Sequence, residues 1–558
     1  MNERFARLMI HHLIEHGVRK FCIAPGSRST PLAFAAAQDD RADTLVHFDE
    51  RGLAFHAMGY AKSSKSPVAI IVTSGTAVAN LFPAIMEAFH EQVPLIVLTA
   101  DRPPELRDCG ANQATNQVKI FSDHVRWQCD LPCPDPAIAD NYIGSTMAHA
   151  IYMATHAPKG PVHLNCMFRE PFFTGAPLVI KTSTTYEPSH TTLSTHTIEQ
   201  WAKRLSQAER GVIVVGALTT ARSLKSINAL AEHLHWPILP DILSGLRSEG
   251  LHHNEIPYFD VILKTATDLK PDCILHFGDR ITSKTLAEWT FKSAPKTYAL
   301  VADHPYRHDP HHALTHRLQC DPTIFCEQLI PFIPRRASWL DTWKSLSAIV
   351  ENHLDPIVPP QSEPGLFRFL HHHLPAHWAL FLANSMVVRD ADQFFFPRFF
   401  RGPIFGKRGL AGIDGNIATA IGIAEGSQRP TLAVLGDLAT LHDLNSLALI
   451  KKAKHPVVFC VINNRGGGIF NFLPIAEKKD VFEEFFAAAH TFQFEEAAKM
   501  FQLPYHSLNE SSILSRALKE EKSCILELTT NRQENVTLHT TIFEELKTCL
   551  SSASCTVS

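Results

Sequence analysis

The chain has 558 residues, a formal net charge of -4, 45% hydrophobic and 19% charged residues. That length exceeds the roughly 250–300 residues at which one hydrophobic core stops growing, so about three or four domains are expected. The apolar content excludes a disordered chain, and the charge balance leaves no electrostatic footprint for nucleic acid or an anionic membrane surface. No run approaches the roughly 18 uncharged apolar residues that would suggest a membrane span.

The opening stretch MNERFARLMIHHLIEHGV sets Phe5, Leu8, Met9, Leu13 and Ile14 near helical spacing, with Glu3 and Glu15 in the same stretch. This predicts an amphipathic first helix and not a signal peptide. Apolar runs at 21–24, 68–73 and 95–100 then predict strands, each followed by Gly, Pro or Ser and a helical pattern. The first block closes near 162–165 and the stretch to Pro177, and the Thr/Ser-rich residues 181–197 read as a surface linker. A second block repeats strand and helix through 211–216, 237–240, 273–278 and 297–301. After a weaker boundary at 355–364 (DPIVPPQSEP), a third block has strands at 379–383, 431–435, 457–462 and 524–528, and the final SSASCTVS is expected to fray. The alternation predicts an α/β chain of three doubly wound, mainly parallel sheets, in domains 1–178, 195–350 and 362–558. Ligands of such sheets sit outside the carboxyl ends of the strands. The 12 cysteines show no CxxC pair, and most, such as Cys273 and Cys460, lie in apolar runs. Buried free thiols in a reducing cytoplasm are the expectation.

The strongest local signal is LAVLGDLATLHDLNSLAL followed by VVFCVINNRGGGIF. Asp437 ends one predicted strand and Asn464 the next, with glycines 466–468 behind it. Magnesium prefers about six hard oxygen ligands and often shares them with phosphates. A carboxylate, an amide oxygen and a backbone carbonyl at neighbouring strand ends meet that demand, and the glycines would let a diphosphate approach the backbone. Taken alone, Asp437 is equally a helix cap and 463–468 an ordinary loop. The GD and NN pairs are similar to the thiamine-diphosphate signature, usually GDG followed a few tens of residues later by NN. Leu438 replaces its second glycine, and both side-chain ligands are kept.

In HFDERGLAFHAMGYAKSS, Asp49 and Glu50 stand at a strand-to-helix transition, where such a pair most often caps the helix. A thiamine site also needs a carboxylic acid beside N1′ of the aminopyrimidine to control its tautomer, and Glu50 is the candidate. Ser74, Gly75 and Thr76 open a helix in the same block.

Six longer motifs carry a more specific resemblance: FCIAPGSRSTPL (21–32), HFDERG (47–52), VTSGTAVANL (72–81), TADRPPELRDCGANQ (99–113), NSMVVRD (384–390) and RGLAGIDG (408–415). They resemble the 2-succinyl-5-enolpyruvyl-6-hydroxy-3-cyclohexene-1-carboxylate synthase (MenD) family of thiamine enzymes. The resemblance implies pyrimidine-binding, central and diphosphate-binding domains, thiamine diphosphate with Mg2+ or Mn2+, and a homodimer or dimer of dimers. It implies decarboxylation of 2-oxoglutarate and 1,4-addition of the succinyl semialdehyde unit to isochorismate, in menaquinone biosynthesis. Ser27, Arg28, Arg102, Gln113, Lys284, Ser385, Arg389 and Arg408 then map to substrate-contacting positions. Ile413 maps to the wedge that bends the cofactor, and Ile469 and Phe470 to an apolar wall. Asp437, Asn464 and Gly466 map to the metal, and Glu50 to the catalytic acid. The dicarboxylate substrates agree with these cations, since a near-neutral chain must bind anions locally. Lys407, before Arg408, departs from the family pattern and adds a charge beside it.

Histidine is plentiful, but 303–316 (DHPYRHDPHHALTH) is a Pro-broken loop without zinc-site spacing. His371–His373 read as a helix surface or end, and Cys129 and Cys133 as packing. Two rivals remain in view. An acetolactate-synthase-like carboligase would need a monocarboxylate pocket and often a flavin in its middle domain. A catalytically silent cofactor-binding protein would have no need of Glu50, Asp437 and Asn464 together.

Overall fold

Runs such as VAIIV (68–72) and GVIVV (211–215) are buried at every residue, as expected of parallel strands covered by helices on both faces. A computed structural model describes residues 1–172, 184–218, 222–248, 250–265, 269–334, 339–397 and 399–557. The first sheet comprises β1 (Lys20–Ile23), β2 (Asp43–Val46), β3 (Val68–Val72), β4 (Leu95–Asp101), β5 (Trp127–Leu131) and β6 (Val162–Met167), in the order β2-β1-β3-β4-β6-β5. The second comprises β7 (Gly211–Val215), β8 (Ile238–Pro240), β9 (Cys273–Phe277), β10 (Thr297–Ala302) and β11 (His316–Gln319), in the order β11-β10-β9-β7-β8. The third comprises β12 (Ala379–Leu382), β13 (Ile404–Gly406), β14 (Thr431–Gly436), β15 (Val457–Asn463), β16 (Tyr505–Ser507) and β17 (Cys524–Thr529), in the order β13-β12-β14-β15-β17-β16. Pairings in each sheet are parallel. The chain is therefore α/β with three parallel sheets.

Five strands lie outside the predicted runs: β2, β5, β11, β13 and β16. All five are sheet edges. An edge strand is open on one side, and β2, β5, β11 and β16 alternate or lose burial accordingly. The expected boundary at 355–364 is narrower than its composition suggests. The helix Leu340–Ile357 takes in Pro356, and the next helix, Glu363–His373, starts at once behind Ser362. The last helix runs Arg532–Val557, so the terminal residues expected to fray continue it. The stretch to Pro177 and the first linker residues, 181–183, fall outside the described residues. Among the described residues no helix is long and apolar enough to cross a membrane.

The chain divides into two compact units, 1–188 with 407–433 and 439–457, and 189–406 with 434–438 and 458–558. Within the first unit, the helix Glu50–Ser64 packs against Asn416–Ser427 at glycine contacts. A side chain at Gly422 would run into the His56 carbonyl and approach Tyr60 N to 2.9 Å. Glycine is needed there for close helix approach.

Three buried histidines set an acid limit on this fold. Burial holds His163 on β6 and His276 on β9 at about 4, and His56 in Glu50–Ser64 at about 3, against an ordinary 6.5. As pH falls from 6.5 toward 4, the unfolded chain takes up protons that these native rings refuse. Their stabilisation is complete above pH 6.5 and is lost below it, at up to about 1.4 kcal/mol per pH unit for each ring. Melting temperatures measured between pH 7.5 and 4.5 are expected to fall, and His276→Gln is expected to flatten that fall.

Candidate active site

In the first unit, the loops after β1, β3 and β4 gather one polar cluster. Arg28 is 8% exposed, donating to the Phe168 carbonyl at 2.9 Å and to Glu170 Oε1 at 3.2 Å. Ser27 beside it is exposed. Arg102, directly after β4, is equally buried and donates to the Ser74 hydroxyl. Burial, and next the charge of Arg28, lower the Arg102 pKa, so the two guanidiniums feel each other. Ser74 and Gln113 are tied reciprocally: Ser74 Oγ donates to the Gln113 carbonyl at 3.0 Å, and Gln113 Nε2 to the Ser74 carbonyl at 2.9 Å. Gln117, which the sequence did not single out, accepts from Gly75 N at 3.0 Å and donates to Ala100 and Asn165. It thereby pins Gly75, whose φ of +84° suits only glycine without strain. Arg28, Ser74, Arg102 and Gln113 thus belong to one network.

Glu50 is half-buried at the start of its helix, behind Asp49, which caps Arg51 N at 3.0 Å and Gly52 N at 3.3 Å. Asp49 thus caps the helix, and Glu50 accepts from Asn80 Nδ2 at 3.2 Å.

The loop carrying Arg408 and Ile413 hangs on a buried carboxylate, Glu87. Its two oxygens accept from Gly409 N at 2.9 Å and Leu410 N at 2.8 Å, while Glu91 accepts from Arg408 N at 2.6 Å. Lys407 does not add surface charge. It is 1% exposed, donates to the Asp414 carbonyl and lies 4.3 Å over the Phe55 ring. Burial lowers its pKa and Glu87 opposes that; burial and then Glu91 raise Glu87, which Lys407 opposes. Arg408 is half-buried and Ile413 is exposed.

In the second unit, Asp437 follows β14 and is 2% exposed. Oδ1 accepts from Leu438 N at 2.6 Å and Oδ2 from Gly466 N at 2.9 Å, which ties the start of its own helix to the loop after β15. His490 Nε2 lies 3.3 Å from Oδ2 without hydrogen-bond geometry. Burial raises the Asp437 pKa against those N–H groups. Asn464 sends Nδ2 to Glu363 Oε1 at 3.1 Å, and its Oδ1 is buried without a partner. A desolvated carboxylate and an orphaned amide oxygen are what a hard divalent cation would satisfy. The glycines behind them are partly tied into the loop. The N–H groups of Gly467 and Gly468 are engaged by the Ala487 and Gly466 carbonyls, at 2.7 and 2.9 Å. Burial, then Asp390, push Glu363 up to about 7. Ile469 and Phe470 lie half-buried on the short helix Gly468–Phe472.

Ser385 follows β12 with φ +69° and ψ -132°, close to the +84° and -137° of Gly75 after β3. A serine held there stores strain of roughly 1–3 kcal/mol, the kind found at ligand sites. Arg389 Nη1 donates to the Ser385 carbonyl at 2.5 Å. Lys284 is exposed at the start of Lys284–Lys292, with Glu288 at 3.6 Å. In the histidine loop, Asp279, His304 and His308 bring ligand-type atoms within 4.8 Å. Yet Tyr306 N donates to His304 Nδ1 at 3.2 Å, which puts the ring proton on Nε2, 2.5 Å from Asp279. The lone pair a metal would need is already engaged.

Three family models match the chain. "Thiamine pyrophosphate enzyme, N-terminal TPP binding domain" matches residues 3–121, "Middle domain of thiamine pyrophosphate" 180–382, and "Thiamine pyrophosphate enzyme, C-terminal TPP binding domain" 389–527. The chain is 42% identical to a 2-succinyl-5-enolpyruvyl-6-hydroxy-3-cyclohexene-1-carboxylate synthase of Rubrobacter xylanophilus, covering 96% of this chain and 97% of the relative. It is 40% identical to the synthase of the same name from Salinibacter ruber, over 96% and 95%. A crystal structure of benzoylformate decarboxylase from Polynucleobacter necessarius shares the fold, with a TM-score of 0.74 at 15% identity, covering 95% of this chain and 99% of that one.

The Glu87–Lys407 pair makes a direct test of the loop. Glu87→Leu strips the acceptors of two main-chain N–H groups and removes the carboxylate that most favours the buried Lys407 ammonium, ahead of Asp443, Asp414 and Glu91. It is expected to cost about 3–5 kcal/mol. Adding Lys407→Met is expected to recover part of that loss in urea unfolding.

Proposed function

The chain belongs to the 2-succinyl-5-enolpyruvyl-6-hydroxy-3-cyclohexene-1-carboxylate synthase family of thiamine pyrophosphate enzymes, and from that premise we propose that it decarboxylates 2-oxoglutarate and adds the succinyl semialdehyde unit 1,4 to isochorismate, in menaquinone biosynthesis. The observation that carries this reading is the pair of buried guanidiniums, Arg28 and Arg102, mutually coupled in a chain whose net charge is -4. Arg28 also ties the Phe168 carbonyl and Glu170, and Arg102 the Ser74 hydroxyl; two buried cations at adjacent strand-end loops suit a carboxylate excluded from water. Ser27, Gln113, Lys284, Ser385, Arg389 and Arg408 are the further substrate contacts of this proposal, with Ile469 and Phe470 as the apolar wall.

Thiamine diphosphate, when bound, supplies the electron sink for decarboxylation and carbon–carbon bond formation. Asp437, Asn464 and the Gly466 carbonyl would hold its Mg2+, for which Mn2+ could substitute, and Ile413 would support the cofactor. Glu50, at the start of a helix capped by Asp49, would hold a proton at the aminopyrimidine ring nitrogen. The exposed apolar side chains Phe48, Leu410 and Ile413, and separately Phe472, Leu473, Phe485 and Phe492, support a homodimer that covers them. The free thiols, such as buried Cys273 and Cys460, support a cytoplasmic location.

A flavin-using rival would place its dinucleotide at the strand ends of the central domain. There the loops after β7 and β9 bond to each other, Asp279 N to the Ala217 carbonyl at 2.7 Å and Ala217 N to the Arg280 carbonyl at 3.4 Å, beside a small pocket lined by Ala217, Asp279, Asp303 and His304.

Glu50→Gln tests the proton role. Thiamine diphosphate is expected to bind within about tenfold of wild type, while turnover and deuterium exchange at the thiazolium C2 fall by about 10²–10⁴-fold. Wild-type exchange in Glu50→Gln would remove Glu50 from the reaction.

A further inference from the structure

An asparagine that serves as a metal ligand has an orientation problem. Its oxygen and its NH2 are nearly the same size, and only the oxygen can bind a cation. In this chain the problem has a visible solution. Asn464 Nδ2 donates to Glu363 Oε1 at 3.1 Å, and its Oδ1 is the buried atom left without a partner. Thr530 Oγ1 donates to the same Glu363 oxygen at 2.8 Å, so segments far apart in sequence meet on one carboxyl group. Glu363 is 2% exposed and stands in the first turn of Glu363–His373. That turn is itself fixed, because Ser362 Oγ accepts from Gly365 N at 3.0 Å. As a carboxylate, Glu363 is an acceptor only, so the amide meets it with its NH2 end and leaves Oδ1 turned away.

We infer that Glu363 is a positioning residue for the divalent cation: it locks the Asn464 side chain so that Oδ1, and not Nδ2, is presented to the ion. The inference rests on the reading of Asp437 and Asn464 as ligands. Glu363 touches neither ion nor substrate in this arrangement and acts through Asn464 alone. What it supplies is an acceptor in a fixed place, so a neutral amide of the same length serves as well as the carboxyl group. Partners of this kind are typically worth about 10–100-fold in metal affinity.

The test is Mn2+ titration of the full chain with thiamine diphosphate present, read by electron paramagnetic resonance of the free ion. Glu363→Met removes the acceptor, and Glu363→Asp draws it back by one methylene. Both are expected to raise the Mn2+ Kd by about 10–100-fold, with kcat recovering at saturating metal. Glu363→Gln keeps an acceptor oxygen at the same reach and is expected to stay within about threefold of wild type. A purely structural role would lower the melting temperature and leave the metal Kd alone. Should Glu363→Met fail to fold, the contrast between Asp and Gln decides. Wild-type affinity in Glu363→Asp, or a loss in Glu363→Gln as large as in Glu363→Met, would overturn the inference. A wild-type chain whose Mn2+ binding is unchanged by Asp437→Ala would instead overturn the ligand assignment, and the inference with it.

Discussion

Buried carboxylates that accept main-chain N–H groups hold the functional loops of this protein in place. In a parallel α/β sheet the segments beyond the strand ends carry the chemistry but have left the ladder, so their N–H groups need other acceptors. Glu87 takes Gly409 and Leu410, Asp437 takes Leu438 and Gly466, and Asp443 takes Ala418 at 2.9 Å. Asp241 takes Leu243 at 2.8 Å together with Thr282, and Glu527 takes Phe494 at 3.0 Å along with the Asn463 amide and Tyr505 hydroxyl. Each acceptor is charged and desolvated, and the cost shows as raised pKa values at Glu87, Asp437 and Asp443, the last to about 6. Lys407 offsets that cost at Glu87. At Asp437 the matching positive charge is the one a divalent ion would bring.

This constraint separates what the sequence reveals from what it hides. The central strands were legible because both their faces are buried, which writes a continuous apolar run. The edge strands β2, β5, β11 and β16 were not, because their residues are partly exposed, and β13 was not because it is only three residues long; β8, an edge that is buried throughout, was legible. The site divides in the same way. Asp437, Asn464, Arg28 and Arg102 sit in local motifs whose spacing or resemblance marks them. Glu87, Gln117, Glu363, His490 and Thr530 do not. The hydrogen-bond partners named above lie 17 to 323 residues away; no spacing rule links such pairs, nor His490 to Asp437. Lys407 shows the limit most clearly. From sequence it reads as an added charge beside Arg408, and only the fold shows it buried over Phe55.

The cations complete the picture. A chain with a formal net charge of -4 cannot attract dicarboxylates through a general field, so recognition must rest on a few guanidiniums shielded from water. Arg28 and Arg102 meet that requirement at adjacent strand-end loops, held by the Phe168 carbonyl, Glu170 and Ser74. Gly75 and Ser385 share one backbone conformation at strand-end turns in two sheets, at a cost in strain where the residue is serine. The central sheet keeps the same parallel architecture.

The most direct test of this account is the loss of isochorismate, followed spectroscopically in the presence of 2-oxoglutarate, thiamine diphosphate and Mg2+, with each addition left out in turn. The account predicts consumption that requires all three, and none when pyruvate replaces 2-oxoglutarate. Consumption supported equally by pyruvate, or no consumption by a chain shown to hold thiamine diphosphate and Mg2+, would contradict it.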